Sequence, residues 1–172
     1  MKNITIRQEL EKDRLNVYNL IKETFSQAVR SDGNEHELVE RLRKSEVFIP
    51  ELSLVAVVDN KIVGHILFTK LKVGKTTQLA LAPLTVAPQF QKQGIGSLLV
   101  NAGHNIAKDM GFEYSILLGY PEYYSRFGYE PSIAFNIKCP FDVPQEYFLA
   151  LNLQGKKSLL NAEVEYPKEF SM

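Results

Sequence analysis

Seven consecutive residues, Gln91-Lys92-Gln93-Gly94-Ile95-Gly96-Ser97, place two glycines among polar neighbours immediately before an apolar stretch of helical period. Glycine lets a ligand approach the backbone closely, and the first turn of a helix presents unpaired N–H groups at the positive end of its dipole. The chemistry that suits such a loop is anion binding, of a phosphate or pyrophosphate above all. A dinucleotide fingerprint would need a third glycine at position 99, where Leu99 stands, and a Gly-Lys-Ser/Thr phosphate loop is absent throughout. A tight strand-to-helix turn with no ligand competes with the anion reading on the same residues.

Other reactive side chains narrow the field. His36, His65 and His104 are far apart, and Cys139 is the single cysteine, so neither a metal site nor an internal disulfide is expected. His65 is read as a strand residue, His104 as a helix-surface residue, and Cys139 as a small buried hydrophobe.

The elements that must position the loop follow from periodicity. Ile4 and Ile6 alternate with polar residues, which predicts a short half-buried strand. Leu15, Tyr18, Leu20, Ile21, Phe25 and Ala28 recur near 3.6 residues, which predicts a helix over 13–29 with Asp13 near its cap. A second helix is expected over 35–44, with Leu38, Val39 and Leu42 inward and Pro50 in the loop after it. Strands over 54–58, 62–73 and 78–86, with turns at Asp59-Asn60 and Gly74, form an antiparallel meander. Pro83 cannot donate to a ladder, so a bulge or break is expected there. A helix from 94 to 110 leads into the apolar run 114–118, a buried strand parallel to 78–86. Pro121 opens a short helix to Phe127, strands are expected at 133–138 and 159–166, and 141–153 has no assignable period.

Composition bounds the class. With 45% apolar and 23% charged residues, the 172-residue chain has ordinary globular composition and the length of one domain. Twenty Lys+Arg balance twenty Asp+Glu, so neither nucleic acid nor an anionic membrane is an expected partner. Lys70, Lys72 and Lys75 read as a solvated outward face. No run reaches the roughly 20 apolar residues of a membrane span. Charges from Arg7 to Arg14 interrupt any signal-peptide core, which makes a cytoplasmic location the expectation.

The strand-loop-helix resembles motif A of the Gcn5-related N-acetyltransferases, Gln/Arg-x-x-Gly-x-Gly/Ala, through Gln91, Gly94 and Gly96. A second string, Leu118-Gly119-x-Pro121-x-Tyr123-Tyr124-x-Arg126-Phe127-Gly128-Tyr129-Glu130-Pro131, is similar to the YhbS-like subgroup of that family. The resemblance implies an α+β fold, the acyl-CoA N-acyltransferase fold. Its sheet is mixed, mostly antiparallel, of about six or seven strands, and flanked by helices. It implies one domain over 1–172, with core motifs in 3–131 and a variable segment in 132–172.

The resemblance also implies acetyl-CoA as co-substrate and no metal. Leu84, Thr85 and Val86 would meet the pantetheine arm as an added strand, with the Val86 N–H as oxyanion donor. The N–H groups of Lys92, Gln93, Gly94, Ile95, Gly96 and Ser97 would cradle the pyrophosphate, while Gln91 shapes the loop. Tyr124, four residues before Gly128, matches the tyrosine that protonates the departing sulfur, and Tyr123 is read as packing or substrate wall. Glu23, Glu35 and Glu122 are the candidates for a base, and Tyr120 stands where the subgroup often has Asp, Glu or His. The implied partner is a small-molecule or peptide amine, with 31–50 and 140–158 on its side of the site. Homodimerisation is common in such folds. The implied reaction is acetyl transfer to a primary amine by direct attack; a CoA-responsive regulatory module without transferase activity is the alternative.

Overall fold

The computed structural model describes residues 3–29, 31–156 and 158–171. Strand β1 (Ile4–Gln8) pairs antiparallel with β2 (Phe48–Val58), β2 with β3 (Lys61–Val73), and β3 with β4 (Thr76–Val86). Asp59 and Asn60, both at positive φ, close the β2–β3 hairpin in the geometry that two-residue turns favour. Helix α3 (Ile95–Asp109) crosses over to β5 (Tyr114–Leu118), which runs parallel to β4. Beyond β5 lie α4 (Pro121–Tyr124), β6 (Glu130–Pro131), β7 (Ile137–Lys138), β8 (Phe148–Asn152) and β9 (Ala162–Glu165). The sheet order is β1-β2-β3-β4-β5-β8-β6, seven strands, with β9 on the free side of β3 beyond β2 and β7 paired to β9.

Two faces of this sheet are covered. Helices α1 (Arg14–Phe25) and α2 (Glu35–Arg43) bury Val17, Ile21, Val39 and Leu42 against Val55 and Leu67. On the opposite face α3 buries Ile95, Leu99, Val100 and Ala107 against Leu54, Ile66, Phe68 and Leu117. Under α2 the buried Arg43 binds Glu9 through two bonds of 2.9 and 2.6 Å, and the ring of the fully buried His65 bonds Ser53 Oγ at 3.1 Å.

Several expectations need correction. Helix α1 stops at Phe25 rather than 29, and Asp13 is its N-cap residue as expected, though its side chain makes no capping bond to the helix. Its carboxylate instead accepts the Leu10 N–H at 2.7 Å and pairs with Arg7, which holds it below the usual carboxylate range. Pro50 lies inside β2, not in a loop: the register jumps from Phe48↔Thr69 to Ser53↔Leu67, so the missing N–H falls in a bulge. Residues 132–135 form a 3-10 turn rather than strand, and the unassigned stretch holds β8, the neighbour of β5. The break at Pro83 is present: Ala82 and Pro83 together oppose Leu67 between the pairs Leu81↔Phe68 and Leu84↔Ile66. No helix among the described residues is long and apolar enough to cross a membrane.

Close approach of α3 to the sheet depends on Gly103, where an added Cβ would lie 2.2 Å from Phe68 Cε2. Gly103→Ala should therefore lower stability by about 1–3 kcal/mol despite the better helix propensity of Ala. Urea unfolding measures this, and an unchanged or higher midpoint would contradict the tight contact.

Candidate functional site

Strands β4 and β5 pair at only two positions, Leu79↔Ser115 and Ala80↔Ile116. Past Ala80 no strand of the described residues faces that edge of β4. The Ala87 N–H donates to the Val63 carbonyl at 2.8 Å, so the adjacent pair Gly64↔Val86 is of the type whose backbone groups point away from each other. The N–H and C=O of Leu84 and Val86 consequently point toward the β5 side, into the gap. Thr85 commits its backbone to β3, and its fully buried hydroxyl has no hydrogen-bond partner.

At the mouth of the gap the chain turns through Gln91–Gly94 into α3. Gly94 takes φ +85 at the helix N-cap with no side chain capping the helix, and the first helical N–H to bond inward is that of Leu98, to Gly94 O at 3.1 Å. The N–H groups of Ile95, Gly96 and Ser97 are the orphan donors of a helix start. Gln91 donates to the Val86 carbonyl at 3.0 Å, tying the loop to the end of β4, and Gln93 Nε2 donates to Gln89 O at 3.2 Å. Lys92 adopts φ +61 and is exposed; Ile95 is buried and anchors the turn in the core.

A cleft of about 430 Å³ lies over this turn, lined by Leu84, Val86, Lys92, Gly96, Ser97, Tyr123 and Arg126 among others. Of the sequence-predicted residues, Leu84, Val86, Gln91, Lys92, Gly94, Gly96 and Ser97 come together here, while Thr85, Gln93, Ile95 and Tyr124 do not line it. An added Cβ on Gly96 would fall 2.4 Å from the Tyr123 hydroxyl, so that glycine admits the tyrosine against the loop. Arg126 stacks on the Tyr123 ring at 4.4 Å and donates Nε to the Tyr123 carbonyl at 2.8 Å, which brings a second cation beside Lys92. Burial raises the Tyr123 phenol above its ordinary pKa, against the lowering effects of Arg126 and Ser97.

Tyr124 sits deeper. Its ring covers Gly119, where a Cβ would lie 2.7 Å from Tyr124 Cε2, and it meets Tyr123 edge-on at 5.0 Å. Burial pushes this phenol well above its ordinary value, so it stays protonated at neutral pH. Behind it the Tyr129 hydroxyl bridges His104 Nε2 at 2.8 Å and Ser115 Oγ at 2.7 Å, linking α3, β5 and the segment after α4. His104 is therefore not a helix-surface residue: it lies among Phe68, Phe127 and Tyr129. Glu23 and Glu122 are exposed and Glu35 bonds the Ser31 hydroxyl; none of the three lines the cleft. Arg126, His104 and Ser115 are the site residues that periodicity does not reveal. Only the position of Arg126 within the Tyr-Tyr-x-Arg-Phe-Gly string could have signalled it.

Comparison with known proteins fits this geometry. The profile of the acetyltransferase (GNAT) family matches residues 14–129. The uncharacterized N-acetyltransferase YjhQ of Escherichia coli K12 is 36% identical over 120 residues, 67% of this chain and 66% of that protein, just under two thirds of its length. YhbS of the same strain, also named an uncharacterized N-acetyltransferase, is 31% identical over 96% of this chain and 98% of its own. The crystal structure of Escherichia coli YhbS in complex with CoA superposes with a TM-score of 0.88, covering 100% of this chain and 94% of that one at 27% identity. A GNAT acetyltransferase from Brucella melitensis in complex with acetyl-CoA gives 0.82 at 28% identity, covering 98% of each chain.

The environment of His104 sets a pH dependence. Burial lowers its pKa from 6.5 to about 4 in the folded protein. Between those values the unfolded chain binds the proton and the native one does not, so the contribution of neutral His104 is full above 6.5 and falls as pH drops toward 4. His104→Phe should flatten the fall in unfolding free energy over this window, measured by urea titration at several pH values. An unchanged slope would mean that His104 titrates normally.

Proposed function

Because the chain belongs to the acetyltransferase (GNAT) family, we propose that it transfers the acetyl group of acetyl-CoA to a primary amine by direct attack in a ternary complex. The single observation that carries this reading is the coincidence of an open β4 edge with an uncapped, glycine-lined helix start at its end. An amide-bearing arm can add to the exposed groups of Leu84 and Val86 as a strand would, and a pyrophosphate fits the N–H groups of Ile95 to Ser97. Lys92 and Arg126 supply positive charge beside that cradle. Complexes of YhbS with CoA and of the Brucella protein with acetyl-CoA support the assignment.

In the proposed reaction the amine nitrogen attacks the thioester carbonyl and the oxyanion forms within reach of the Val86 N–H, whose partner carbonyl is already held by Gln91. Collapse breaks the C–S bond, Tyr124 gives its phenolic proton to the sulfur, and the proton shed by the attacking nitrogen restores the phenol. The dry surroundings that keep the phenol protonated also make the developing thiolate more basic, so the transfer remains matched. An alkylamine of pKa about 10.4 requires about 4.6 kcal/mol to deprotonate at pH 7, a cost met by a base or a water chain. No carboxylate or imidazole lines the cleft among the described residues, which favours as a second reading a CoA-responsive module without transfer activity.

Saturating acetyl-CoA and CoA should raise the unfolding temperature by several degrees, since ligand at about 100 times its Kd stabilises by about 2.7 kcal/mol; ATP and NADH should not. Absence of a shift with both CoA ligands, checked by calorimetry, removes the reading. Tyr124→Phe should lower kcat by about 10²-fold with acetyl-CoA affinity nearly unchanged. Equal turnover in that variant removes Tyr124 from the mechanism, and tight acetyl-CoA binding without turnover of any amine selects the regulatory module.

A further inference from the structure

A second cleft, of about 380 Å³, opens at the C-terminal end of β5 and is lined by Leu118, Gly119, Tyr120, Val143, Pro144 and Tyr147. It faces the other side of the sheet from the glycine-loop cleft. Leu84 and Val86 pack with the α3 cluster, as does Leu117. Ile116 and Tyr114 pack on the opposite face, and strand alternation places Leu118 with them. The two clefts flank the opening where the β4–β5 pairing ends at Ala80 and Ile116: Gly119, in the second cleft, touches the Tyr124 ring, and Tyr124 meets Tyr123, which lines the first. A group carried from the glycine loop through the gap would emerge on the side of the sheet where this cleft lies.

Its lining is apolar and aromatic. Leu118 and Tyr120 are 50% and 47% exposed, and Tyr120 meets Tyr147 edge to face at 6.3 Å. No charged side chain lines it. The segments that build it, 118–124 and 142–147, contain Glu122, Asp142 and Glu146, all exposed, and neither lysine nor arginine. The glycine-loop cleft is the reverse, with Lys92 and Arg126 and no carboxylate. One end suits phosphate; the other suits an ammonium group on an apolar body, which the acidic segments building the cleft, without lysine or arginine, favour over anionic analogues.

From this contrast we infer the acceptor class: a primary amine carried on an aromatic or comparably bulky apolar group, an arylalkylamine in the simplest case, seated between Tyr120, Tyr147 and Val143. The inference rests on the acetyltransferase reading above. The ammonium form gives up one proton to become the nucleophile, the N–C bond forms and the C–S bond breaks. The nitrogen loses its second proton as the sulfur gains one, so the products are the N-acetylamine, CoA thiol and one proton. Tyr120, which departs from the polar residues expected there, becomes a specificity determinant.

The test begins with calorimetry of acetyl-CoA on the full chain and continues with initial rates of thiol release using phenethylamine, spermidine and glutamate as acceptors, on the native protein and on Val143→Lys. The kcat/KM for phenethylamine should exceed those for spermidine and glutamate by at least about tenfold. Val143→Lys should reduce it about tenfold while acetyl-CoA affinity and unfolding temperature hold. With acetyl-CoA bound, any of three results overturns the acceptor class but leaves the donor site standing: spermidine or glutamate turned over equally well, no effect of Val143→Lys, or no phenethylamine turnover. Failure of acetyl-CoA to bind overturns the transferase reading, and the acceptor assignment falls with it.

Discussion

The parallel pairing of β4 with β5 lasts for two residue pairs and then stops, and the rest of the site depends on that interruption. Backbone N–H and C=O groups inside a sheet are obligatory bonding groups, and leaving one without a partner costs about 1–3 kcal/mol unless water or a ligand meets it. Beyond Ala80 the edge of β4 keeps such groups at Leu84 and at the Val86 N–H, the Val86 carbonyl being held by Gln91. The causes are local: Pro83 has no N–H to offer, Ala82 and Pro83 bulge against Leu67, and β5 ends at Leu118 before α4 turns across the opening. A protein that closed this gap would have a better sheet and no site.

Holding a sheet open requires rigid supports on both sides. On one side α3 is set against β3 by two glycines, Gly103 under Phe68 and Gly64, where a Cβ would lie 2.9 Å from Leu99 Cδ1. This close packing fixes where the helix begins, and hence where its orphan N–H groups lie relative to the end of β4. On the other side the ring cluster of Tyr123, Tyr124, Phe127 and Tyr129 is tied to α3 by His104 and to β5 by Ser115. The Ser115 position is also the first of the two β4–β5 pairs, so the hydrogen-bonded chain Ser115–Tyr129–His104 starts at the strands' last paired stretch and supports Tyr124 from behind through its ring contact with Tyr129.

Features with local causes were legible in the sequence. Pro83 announced its bulge because the missing donor acts at its own position, and Gly94 and Gly96 announced the turn because a strand-to-helix connection and its glycines lie within a few residues. The meander followed from periodicity and turn residues, the strand at 114–118 from the brevity of its apolar run, and the short helix from Pro121 at its first turn. Features fixed by distant partners were not legible. Strand β8 has no period of its own and becomes a strand because β5 presents a free edge, while Pro50 is tolerated in β2 because four residues there bulge against one on β3. Which tyrosine of the pair lines the cleft depends on where Gly96 stands, 27 residues away in sequence. The role of His104 depends on a hydroxyl delivered by Tyr129 from the far side of α4.

The measurement that reaches the central claim most directly is residue-resolved amide hydrogen exchange with and without acetyl-CoA. If the open edge of β4 receives the ligand as a strand, the N–H groups of Leu84 and Val86 become strongly protected when acetyl-CoA is added, whereas Thr85, already bonded to β3, changes little. Binding of acetyl-CoA with Leu84 and Val86 still exchanging at their free rates would contradict it, because the gap between β4 and β5 would then have no part in holding the ligand.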